Sequence, residues 1–433
     1  MKYILKWIAI VAILGGNMNA QDNEQVKIDS VEINNVSVPL LFESSKNLPV
    51  GDVQLIFVGG SADAHIAGLG AMSANLLNEG TKELGNVAFA NRLESKAIGL
   101  YASVGLQTLS FDLSFLKEFS DESFSLLSML LYDPNLTPQA FSKVKSLILN
   151  KIARNKDNFD DVAEKNLKSI LFKGTPMAIP VLGDEESIES ITLEDIKAFL
   201  ARNLVLKRLI IVAGGDLQKE ELKKQLIATL SKLPVGEGKE RLHFSASKEV
   251  DSIIVKKPTQ QAFIYFGAPF DVVDKEKNYI AKVMSFILGG SGFGSRMMEE
   301  VRVKRGLAYS ASMSISVGGA ADYASGHLQT KIESKDEAIK VVKEVVNDFI
   351  AKGATQTELD AAKAFLLGSE PLLEETLSQR LGAKFSNYFR GLSLDNHKRE
   401  LALIKDLSLE ELNAYITSHK EILQMSFSIV DAE

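Results

Sequence analysis

An internal repeat constrains the fold of this chain more than any other feature of its sequence. The β-rich runs VQLIFVG (53–59) and QAFIYFG (261–267) lie 208 residues apart, and Tyr101 and Tyr309 are separated by the same interval. An apolar helical stretch follows each run, and after it FANRLE in the first half aligns with FGSRMM in the second. Because these matches occur in one order along both halves, the sequence predicts a duplicated α+β unit.

The two halves also end alike. TLEDIKAFL (192–200) and SLEELNAYI (408–416) each begin with a hydroxyl side chain and carry an acid three residues later, which is a capping box or its aspartate variant. Each helix leads to a closing strand, RLIIVAGG (208–215) or MSFSIVDAE (425–433). We therefore expect an α+β fold of two homologous α/β-sandwich domains that face each other across a cleft.

The segment between the halves, SKLPVGEGKERLHF (231–244), is rich in glycine, proline and charged residues. This composition indicates an exposed linker. The predicted organisation is an N-terminal domain at 27–230, a linker at 231–247 and a C-terminal domain at 248–433.

The first twenty residues have the pattern of a secretory signal peptide. Lys2 and Lys6 make a positive start, an apolar run extends from Trp7 to Leu14, and small residues lead to a predicted cleavage after Ala20. A membrane anchor is the alternative, but the apolar run is far shorter than the roughly 20 residues that span a bilayer. We expect an exported protein without a membrane span after cleavage.

Composition excludes several classes of function. The 433 residues include no cysteine, which rules out disulfides, thiol catalysis, zinc–thiolate sites and lipid attachment through cysteine. The formal net charge is −7 and no basic stripe is present, so nucleic acid is not an expected partner. An exported chain of this kind has to be stabilised by burial of its hydrophobic core.

The segment GLGAMSANLLNEGT (68–81) predicts a helix that follows a glycine turn, yet it carries no metal-binding side chain at the spacing of a zinc motif. A helical zinc motif uses imidazoles four residues apart, which share one face and lie about 2.1 Å from the ion. The chain has five histidines: His65, His243, His327, His397 and His419. None has another histidine four residues away, which favours surface or hydrogen-bonded histidines over a zinc site of the common type.

The duplicated unit, the 68–81 segment and GSRMMEEVRVKRGLAYSAS (294–312) together resemble the insulinase/pitrilysin-like zinc peptidases. The most similar branch contains mitochondrial processing peptidase and its bacterial relatives, and the likeness extends from about residue 27 to the end of the chain. Active members carry an H-x-x-E-H motif on the helix of the first half, followed by a glutamate about 76 residues later. The resemblance therefore implies where a zinc site would lie in this chain.

The resemblance places the two zinc-binding histidines at Ala71 and Asn75, the general base at Ala74 and the later glutamate at Lys151. Alanine offers no lone pair, an asparagine amide is a weak ligand, and a lysine ammonium repels a divalent cation. Zinc catalysis needs both the ion and a base that accepts a proton from its bound water. We expect no metal or cofactor in this chain and no peptidase activity of the chain alone.

The second half carries an arginine and a tyrosine at the positions where active relatives bind the substrate. In active relatives an arginine and a tyrosine of this half bind the substrate, and the resemblance places them at Arg302 and Tyr309 of EEVRVKRGLAYS. Guanidinium and phenol groups both donate hydrogen bonds to a developing oxyanion. Without the resemblance, the same residues would be interpreted as a helix-surface arginine and a strand tyrosine packed in the core.

Gly289, Gly290, Gly292 and Gly294 belong to the glycine-rich segment LGGSGFGSR. No G-K-[ST] follows and the G-x-G-x-x-G spacing is not met, which disfavours a nucleotide loop. The segment resembles the glycine-rich, substrate-contacting segment of the non-catalytic mitochondrial subunit. A turn at the start of a helix is the structural alternative.

These observations lead to a hypothesis in which the chain is a metal-free, non-catalytic subunit of a periplasmic heterodimeric zinc peptidase. It would supply Arg302 and Tyr309 to a homologous subunit that carries the zinc and acts on unfolded peptides or oligopeptides. One alternative is a stand-alone peptide-binding or assembly protein of the same fold. Another is a homodimeric enzyme with a different chemistry, which the lack of cysteine, of a histidine pair and of a nucleophile elbow disfavours.

Overall fold

The computed structural model describes residues 28–433, so the predicted signal peptide at 1–20 lies outside the described residues. The strands of this range form two sheets. The N-terminal sheet contains β1 (Asp29–Ile33), β2 (Val36–Ser44), β3 (Val50–Val58), β4 (Gly99–Val104), β5 (Thr108–Leu116) and β6 (Leu209–Gly215). The C-terminal sheet contains β7 (Phe244–Ser245), β8 (Ser252–Lys257), β9 (Gln261–Pro269), β10 (Ala308–Ser316), β11 (Ala321–Lys331) and β12 (Ser426–Ala432).

The α-helices are divided between the same two halves. The first half contains α1 (Leu69–Leu77), α2 (Gly85–Glu94), α3 (Ser120–Tyr132), α4 (Pro138–Asn155), α5 (Phe159–Leu171), α6 (Glu185–Ser190), α7 (Leu193–Asn203) and α8 (Lys219–Leu230). The second half contains α9 (Asn278–Ser285), α10 (Arg296–Met298), α11 (Lys335–Lys352), α12 (Gln356–Gly368), α13 (Glu370–Leu373), α14 (Leu377–Phe389), α15 (Asn396–Asp406) and α16 (Leu409–Ser418). Within residues 28–433, no helix combines the length and the apolar character that crossing a bilayer requires.

The two sheets share one strand order. In the N-terminal sheet the order is β1-β2-β6-β3-β5-β4, and the C-terminal sheet has β8-β12-β9-β11-β10, which matches β2 to β4 strand for strand. In both, the first pair of the shared order is parallel (β2 with β6, β8 with β12) and the other pairs are antiparallel. The structure thus confirms the duplicated α+β unit that the sequence repeat predicts.

Local sequence signals set the helix ends as expected. The hydroxyl of Thr137 accepts a hydrogen bond from the backbone of Ala140, and Pro138 occupies the first turn of α4. Thr192 forms the reciprocal capping box with its acidic partner at the start of α7. Ser408 accepts the backbone hydrogen bond that caps α16. The N-caps predicted at Thr192 and Ser408 are therefore confirmed.

One pair of aligned segments folds differently in the two halves. FANRLE (89–94) lies wholly within α2, whereas FGSRMM (293–298) is helical only from Arg296 onward. Gly294 has φ +96°, a conformation that a right-handed helix cannot contain. Gly294, where the first half has Ala90, thus accompanies the replacement of about one helical turn by a loop.

The inner face of each sheet is covered by helices of its own half. Phe57 of β3 packs in one cluster with Met72 of α1 and Phe199 of α7. In the other half, Phe266 of β9 packs with Phe349 of α11. Each of these side chains is less than 2% exposed, and full burial of a phenylalanine stabilises a fold by about 1.5–3 kcal/mol. The two clusters give each half its own hydrophobic core.

The outer face of each sheet is covered by one helix from the other half, and we call α5 and α14 the crossing helices. Helix α14 packs against β2 and β6, where Leu381 joins a buried cluster with Ile210 and Val212. Helix α5 packs against β9 and β12, and its Leu167 and Leu171 lie in the corresponding cluster. Because both of its faces are covered, every residue of β6 is buried.

Glycines in the sheets let the crossing helices approach closely. A Cβ atom on Gly214 would lie 3.0 Å from Cδ1 of Leu377 and 3.1 Å from Cδ1 of Leu381. A Cβ atom on Gly267 would lie 2.6 Å from Cδ1 of Leu171. At each place a larger residue would push the crossing helix away from the sheet.

Polar contacts fix the first turn of α5 on the C-terminal sheet. Oδ1 of Asp160 accepts a hydrogen bond from the hydroxyl of Tyr265 at 3.2 Å, and Oδ2 accepts one from the amide of Gln329 at 2.8 Å. Burial raises the pKa of Tyr265, and the negative charge of Asp160 raises it further. The phenol therefore remains a hydrogen-bond donor throughout the physiological pH range.

A cluster of charges fixes α14 on the N-terminal sheet. Glu43 of β2 accepts a 2.5 Å hydrogen bond from Nε of Arg380 and another from Nζ of Lys384. Burial raises the pKa of the Glu43 carboxyl, but the hydrogen bonds and charges of Lys384 and Arg380 outweigh burial and hold that pKa below its ordinary value. The pair of contacts is one of the links between the two halves.

The predicted linker at 231–247 is exposed over most of its length. Its last residues depart from the expectation, because Phe244 and Ser245 form β7 and pair in parallel with the start of β11. Phe244 also packs in the cluster beneath α5. The residue limits of the two domains stay a prediction from the sequence.

Candidate functional site

Helix α1 presents the positions of the expected zinc motif but none of its ligands. The helix follows Gly68, whose φ of +84° suits glycine. Ala71 and Ala74 are each 3% exposed and pack as apolar residues. Asn75 is exposed, and its Nδ2 donates a 2.8 Å hydrogen bond to the carbonyl oxygen of Ala71. The asparagine amide is thereby bonded to its own helix.

The fourth position of the expected site gives no support to a cation either. Lys151 lies exposed on α4, the helix that packs against α1. The buried carboxylate beside α1, Glu79, is paired with Lys143 of α4 at 2.7 Å. Zinc requires three or four nitrogen, sulfur or carboxylate ligands that converge on one point. The residues present at this position do not fit a zinc ion.

The side of α1 next to the sheet edge is held in place by an asparagine. Nδ2 of Asn78 donates a 2.8 Å hydrogen bond to the carbonyl oxygen of Ala102, and the amide of Ala102 returns a 2.8 Å bond to Oδ1. Ala102 lies on β4, the edge strand of the N-terminal sheet. The helix of the lost metal site thus keeps its attachment to the edge strand.

Arg302 and Tyr309, which the sequence places 7 positions apart, lie side by side in the structure. The guanidinium carbon of Arg302 is 4.6 Å from the ring centroid of Tyr309 and 4.7 Å from that of Phe293. Tyr309 is 82% exposed and Phe293 is 71% exposed. We call these three residues the arginine–aromatic cluster. The interpretation of Tyr309 as a core tyrosine is wrong.

A strand irregularity displays Tyr309 to solvent. The register of β10 against β11 shifts between Ala308 and Ala311, so that Tyr309 and Ser310 both lie exposed on the irregular stretch. A bulge of this kind redirects side chains and is common beside functional sites. Strand β10 is also the edge of the C-terminal sheet, as β4 is of the N-terminal sheet, where Tyr101 is 56% exposed. Both copies of the repeated tyrosine therefore face outward.

Two π-helical stretches surround the arginine–aromatic cluster. One covers Phe286–Gly290 and includes the first two glycines of the glycine-rich segment, and the other covers Glu299–Val303 and carries Arg302. A π-helical turn contains an extra residue that widens the helix, and such turns occur often at functional sites. The helix that presents Arg302 is thus irregular at the position where its side chain emerges.

Charge pairing distinguishes Arg302 from its basic neighbours. Glu300 accepts a 2.6 Å hydrogen bond from Lys304 and a 2.5 Å bond from Arg305, and these two bonds hold the pKa of Glu300 below its ordinary value. Among residues 28–433, no side chain accepts a hydrogen bond from the guanidinium of Arg302. Its donors are therefore free to bind a carbonyl oxygen or a carboxylate.

The four glycines of the glycine-rich segment serve two different purposes. A Cβ atom on Gly289 would lie 2.3 Å from the backbone nitrogen of Met313 on β10, so this position has to be glycine for packing. Gly292 and Gly294 have φ of +65° and +96°, while no atom crowds either of them. Gly290 is placed more loosely, with a Cβ contact of 3.0 Å. Packing and turn geometry thus explain three of the four.

Sequence reasoning missed Phe293, the third member of the arginine–aromatic cluster. The residue lies between Gly292 and Gly294 and is 71% exposed, with the guanidinium of Arg302 over its ring. A large aromatic side chain flanked by glycines is itself a signal, because burial does not explain its presence. The cluster has no hydrogen bond, ion pair or ring contact with the Ala71, Asn75 or Lys151 positions in the described part of the chain.

The histidines mostly have ordinary partners. His65 and His243 each lie beside one carboxylate, His327 stacks on Tyr265, and His419 stacks on Phe270. His397 differs, because two glutamates of α13 and its C-cap, Glu370 and Glu374, lie next to it. This group was not foreseen from the spacing of the histidines.

The duplicated α+β unit, the positions on α1 without zinc ligands and the exposed arginine and tyrosine of the second half together resemble a two-domain zinc peptidase that lacks its metal site. The insulinase model (peptidase family M16) matches residues 40–185, and the model of the peptidase M16 inactive domain matches residues 190–366. The chain belongs to peptidase family M16.

Relatives and solved structures agree with this assignment. A Helicobacter pylori protein described as the non-peptidase homolog YmxG is 42% identical over 429 residues, with 98% of each chain covered. The peptidase M16 inactive domain from Pseudomonas fluorescens has the same fold with a TM-score of 0.85 at 24% identity, covering 94% of this chain and 98% of the other. A protease from Helicobacter pylori superimposes with a TM-score of 0.82 at 17% identity, covering 94% and 99%.

Proposed function

We propose that this chain is the subunit without a catalytic zinc in a heterodimeric zinc peptidase, whose partner is a homologous chain with an intact H-x-x-E-H motif. In this complex Arg302 and Tyr309 bind the peptide backbone of the substrate and donate hydrogen bonds to the oxyanion that forms at the partner's active site. The substrates are unfolded peptides or oligopeptides. This chain contributes no metal and no general base.

The observation that carries the proposal is the unequal state of the two halves. Four positions of the expected metal site hold residues that cannot bind zinc, whereas Arg302 and Tyr309 are present, adjacent and exposed. A chain that had lost every role in proteolysis would have no reason to keep an unpaired guanidinium between two exposed aromatic rings. A division of roles between two subunits gives such a reason.

The geometry of the arginine–aromatic cluster supports an interaction with a carbonyl group. The two ring faces hold the guanidinium plane by cation–π attraction, which is worth about 0.5–1 kcal/mol per contact at an exposed site. These contacts favour an orientation of the side chain that does not use its N–H donors. Preorganised donors of this kind stabilise charge that develops in a transition state.

Export to the periplasm is part of the proposal and depends on the predicted signal peptide at 1–20. A cell-fractionation experiment with the full-length chain tests it. We expect the wild-type protein to be processed and to appear in the periplasmic fraction. A variant whose apolar run is interrupted by a charged residue should stay unprocessed in the cytoplasm. Finding both processed and unprocessed wild-type protein in the cytoplasm would contradict the predicted export.

The main experiment mixes this chain with the homologous zinc-binding subunit and measures cleavage of a quenched fluorescent peptide, with and without a zinc chelator. We expect cleavage only in the mixture, and its loss in the presence of chelator. Arg302→Ala or Tyr309→Phe should lower the rate about 10²–10³-fold, which is the usual effect of removing one oxyanion donor. The zinc content of the mixture should not change.

Two control substitutions test whether the effect is specific. Arg305→Ala removes a neighbouring guanidinium that is paired with Glu300, and Tyr101→Phe removes the equivalent hydroxyl of the first half. Both should leave the cleavage rate within about twofold of the wild-type rate. Full activity of the mixture with both Arg302 and Tyr309 replaced would reduce the chain to a scaffold.

A stand-alone peptide-binding or assembly role is the second candidate, and the description of the Helicobacter pylori relative as a non-peptidase homolog favours it. In that case the isolated chain binds a labelled unfolded peptide, Arg302→Ala weakens the binding, and the mixture cleaves nothing. Fluorescence anisotropy of the labelled peptide measures this directly. Cleavage in the mixture that depends on Arg302 excludes this role as the whole function.

A further inference from the structure

A second group of metal-binding side chains lies far from the expected zinc motif in the chain. Glu370 begins α13, Glu374 directly follows its last residue, and His397 is the second residue of α15. One carboxylate oxygen from each glutamate and a ring nitrogen of His397 lie within 4.8 Å of one another. Glu370 and Glu374 are four positions apart, and a carboxylate oxygen of each lies next to the ring of His397.

The charges of this group have no counter-charge other than the imidazole. Each of the three side chains is only about a quarter exposed, at 25%, 27% and 24%. In the part of the chain that the structure describes, neither glutamate is paired with a lysine or an arginine. Two partly buried carboxylates so close together repel each other, and a cation between them would remove the repulsion.

The imidazole of His397 lacks the hydrogen bonds that a buried ring normally makes. Both ring nitrogens are closed off from solvent, and neither has a partner in hydrogen-bond geometry among the described residues, although Nε2 lies in contact with Oε1 of Glu374. Nε2 is also 3.8 Å from Oε1 of Glu370. Ligands of a tetrahedral zinc ion lie about 3.3 Å apart when each bond is about 2.0–2.1 Å. The contact of Nε2 with Glu374 is shorter than this value and the distance to Glu370 is longer, so a bound ion would require the Glu374 carboxylate to move away from the ring.

We propose that Glu370, Glu374 and His397 form a binding site for a divalent transition-metal ion, with zinc as the ion that fits best. One imidazole and two carboxylates suit zinc, whereas calcium and magnesium prefer oxygen ligands alone. Water would complete the coordination. We call this group the Glu–Glu–His site.

The place of the site in the fold assigns it a structural role. The carbonyl oxygens of Glu374 and Glu375 accept hydrogen bonds of 2.8 and 3.0 Å from Nη1 of Arg380, and the same guanidinium bonds Glu43 of the N-terminal sheet through Nε. A metal ion at the Glu–Glu–His site would therefore fix the segment that leads into crossing helix α14. Zinc binding should slow amide exchange between residues 369 and 376.

The test measures zinc binding by the mature wild-type chain and by Glu374→Gln and His397→Gln. Bound metal is measured by mass spectrometry after dialysis against low-micromolar zinc, and affinity is measured by competition with a chromophoric chelator. We expect one zinc per wild-type chain and an affinity at least about tenfold lower in each variant, because even loss of a group behind a ligand has an effect of that size. Cobalt(II) should give the intense visible bands of a tetrahedral site in the wild type alone.

Glu375→Gln is the matched control, since Glu375 follows Glu374 directly and is not part of the group. It should bind zinc as the wild type does. All four proteins should show the same circular dichroism and melting temperature in chelator, so that loss of binding is separated from loss of folding. Absence of stoichiometric zinc in the wild type, or equal zinc in all four proteins, would overturn the proposal.

Discussion

Helix α14 belongs to the second half of the sequence but covers the sheet of the first, which leads to a prediction about stability. Leu381 is fully buried in the cluster that α14 forms with β2, β3 and β6. We expect Leu381→Ala to destabilise the N-terminal sheet, although the substituted residue lies more than 160 positions further along the chain. The C-terminal sheet should be affected less.

The size of the effect follows from the packing around Leu381. Replacing a buried leucine by alanine costs about 2–5 kcal/mol, and the cost is smaller where the surroundings can close over the cavity. Ser378 and Gly382, which flank Leu381 on α14, are exposed, so the helix has room to move inward. We therefore expect a cost in the lower half of that range, about 3 kcal/mol, which is a change of roughly 100-fold in an opening equilibrium.

Hydrogen exchange followed by mass spectrometry measures this locally. Peptides that cover β2 and β6 should exchange roughly 100-fold faster in Leu381→Ala when exchange occurs through local opening. Leu147→Ala is the matched control, because Leu147 is 54% exposed on α4 and its loss should change stability by less than about 0.5 kcal/mol.

The opposite substitution tests the same reasoning from the other side. Leu171 lies on crossing helix α5 and is 1% exposed. Its replacement by alanine should speed hydrogen exchange in β9 and β12. If each variant instead sped hydrogen exchange only in the sheet of its own half, the packing of α5 and α14 on the sheets of the opposite halves would be refuted. An effect below about 1 kcal/mol on global unfolding by denaturant would refute the assigned burial.

Two further predictions concern charged groups. Because the pKa of Glu43 is held below its ordinary value of 4.5 in the folded state, its bonds to Arg380 and Lys384 should stabilise the fold above about pH 4.5 and be lost as the pH falls through the folded pKa. The difference in denaturation midpoint between the wild type and Glu43→Gln should therefore be constant from pH 6 to 8 and shrink in acid. Arg208→Ala removes the 2.9 Å contact to Oδ2 of Asp63, a carboxylate that is 7% exposed, and leaves Lys239, 2.9 Å from Oδ1, as its cationic partner. Loss of this buried hydrogen bond should lower the free energy of unfolding by about 1–3 kcal/mol in urea titration.

Much of the fold could be predicted because the same pattern occurs twice in the sequence. The matching runs at 53–59 and 261–267 both become the central antiparallel strands β3 and β9, and the caps at Thr192 and Ser408 both begin the helix before the closing strand. A repeat of this kind removes most of the ambiguity that a single pattern leaves. The repeat could not predict that α5 and α14 each pack on the sheet of the other half. Each helix has an ordinary amphipathic pattern, which does not indicate the sheet that it covers.

The candidate site was predictable in part for a similar reason. Ala71, Asn75 and Lys151 could be assigned by position, and so could Arg302 and Tyr309, because a family pattern fixes them along the chain. Phe293 joins the last two only through the fold of the glycine-rich loop. Glu370 and His397 come together only where α13 and α15 meet in the fold, so no local spacing in the sequence predicts their contact.

The crossing helices also change what a domain means in this chain. A cut within the predicted linker at 231–247 would remove α14 from the N-terminal sheet and leave Leu41, Ile210 and Val212 on an open face. The same cut would leave the apolar side of α5 without its sheet. Exposed apolar surface on both fragments favours aggregation over independent folding. The two repeated units are therefore separate in sequence, but each needs a helix of the other to cover the outer face of its sheet.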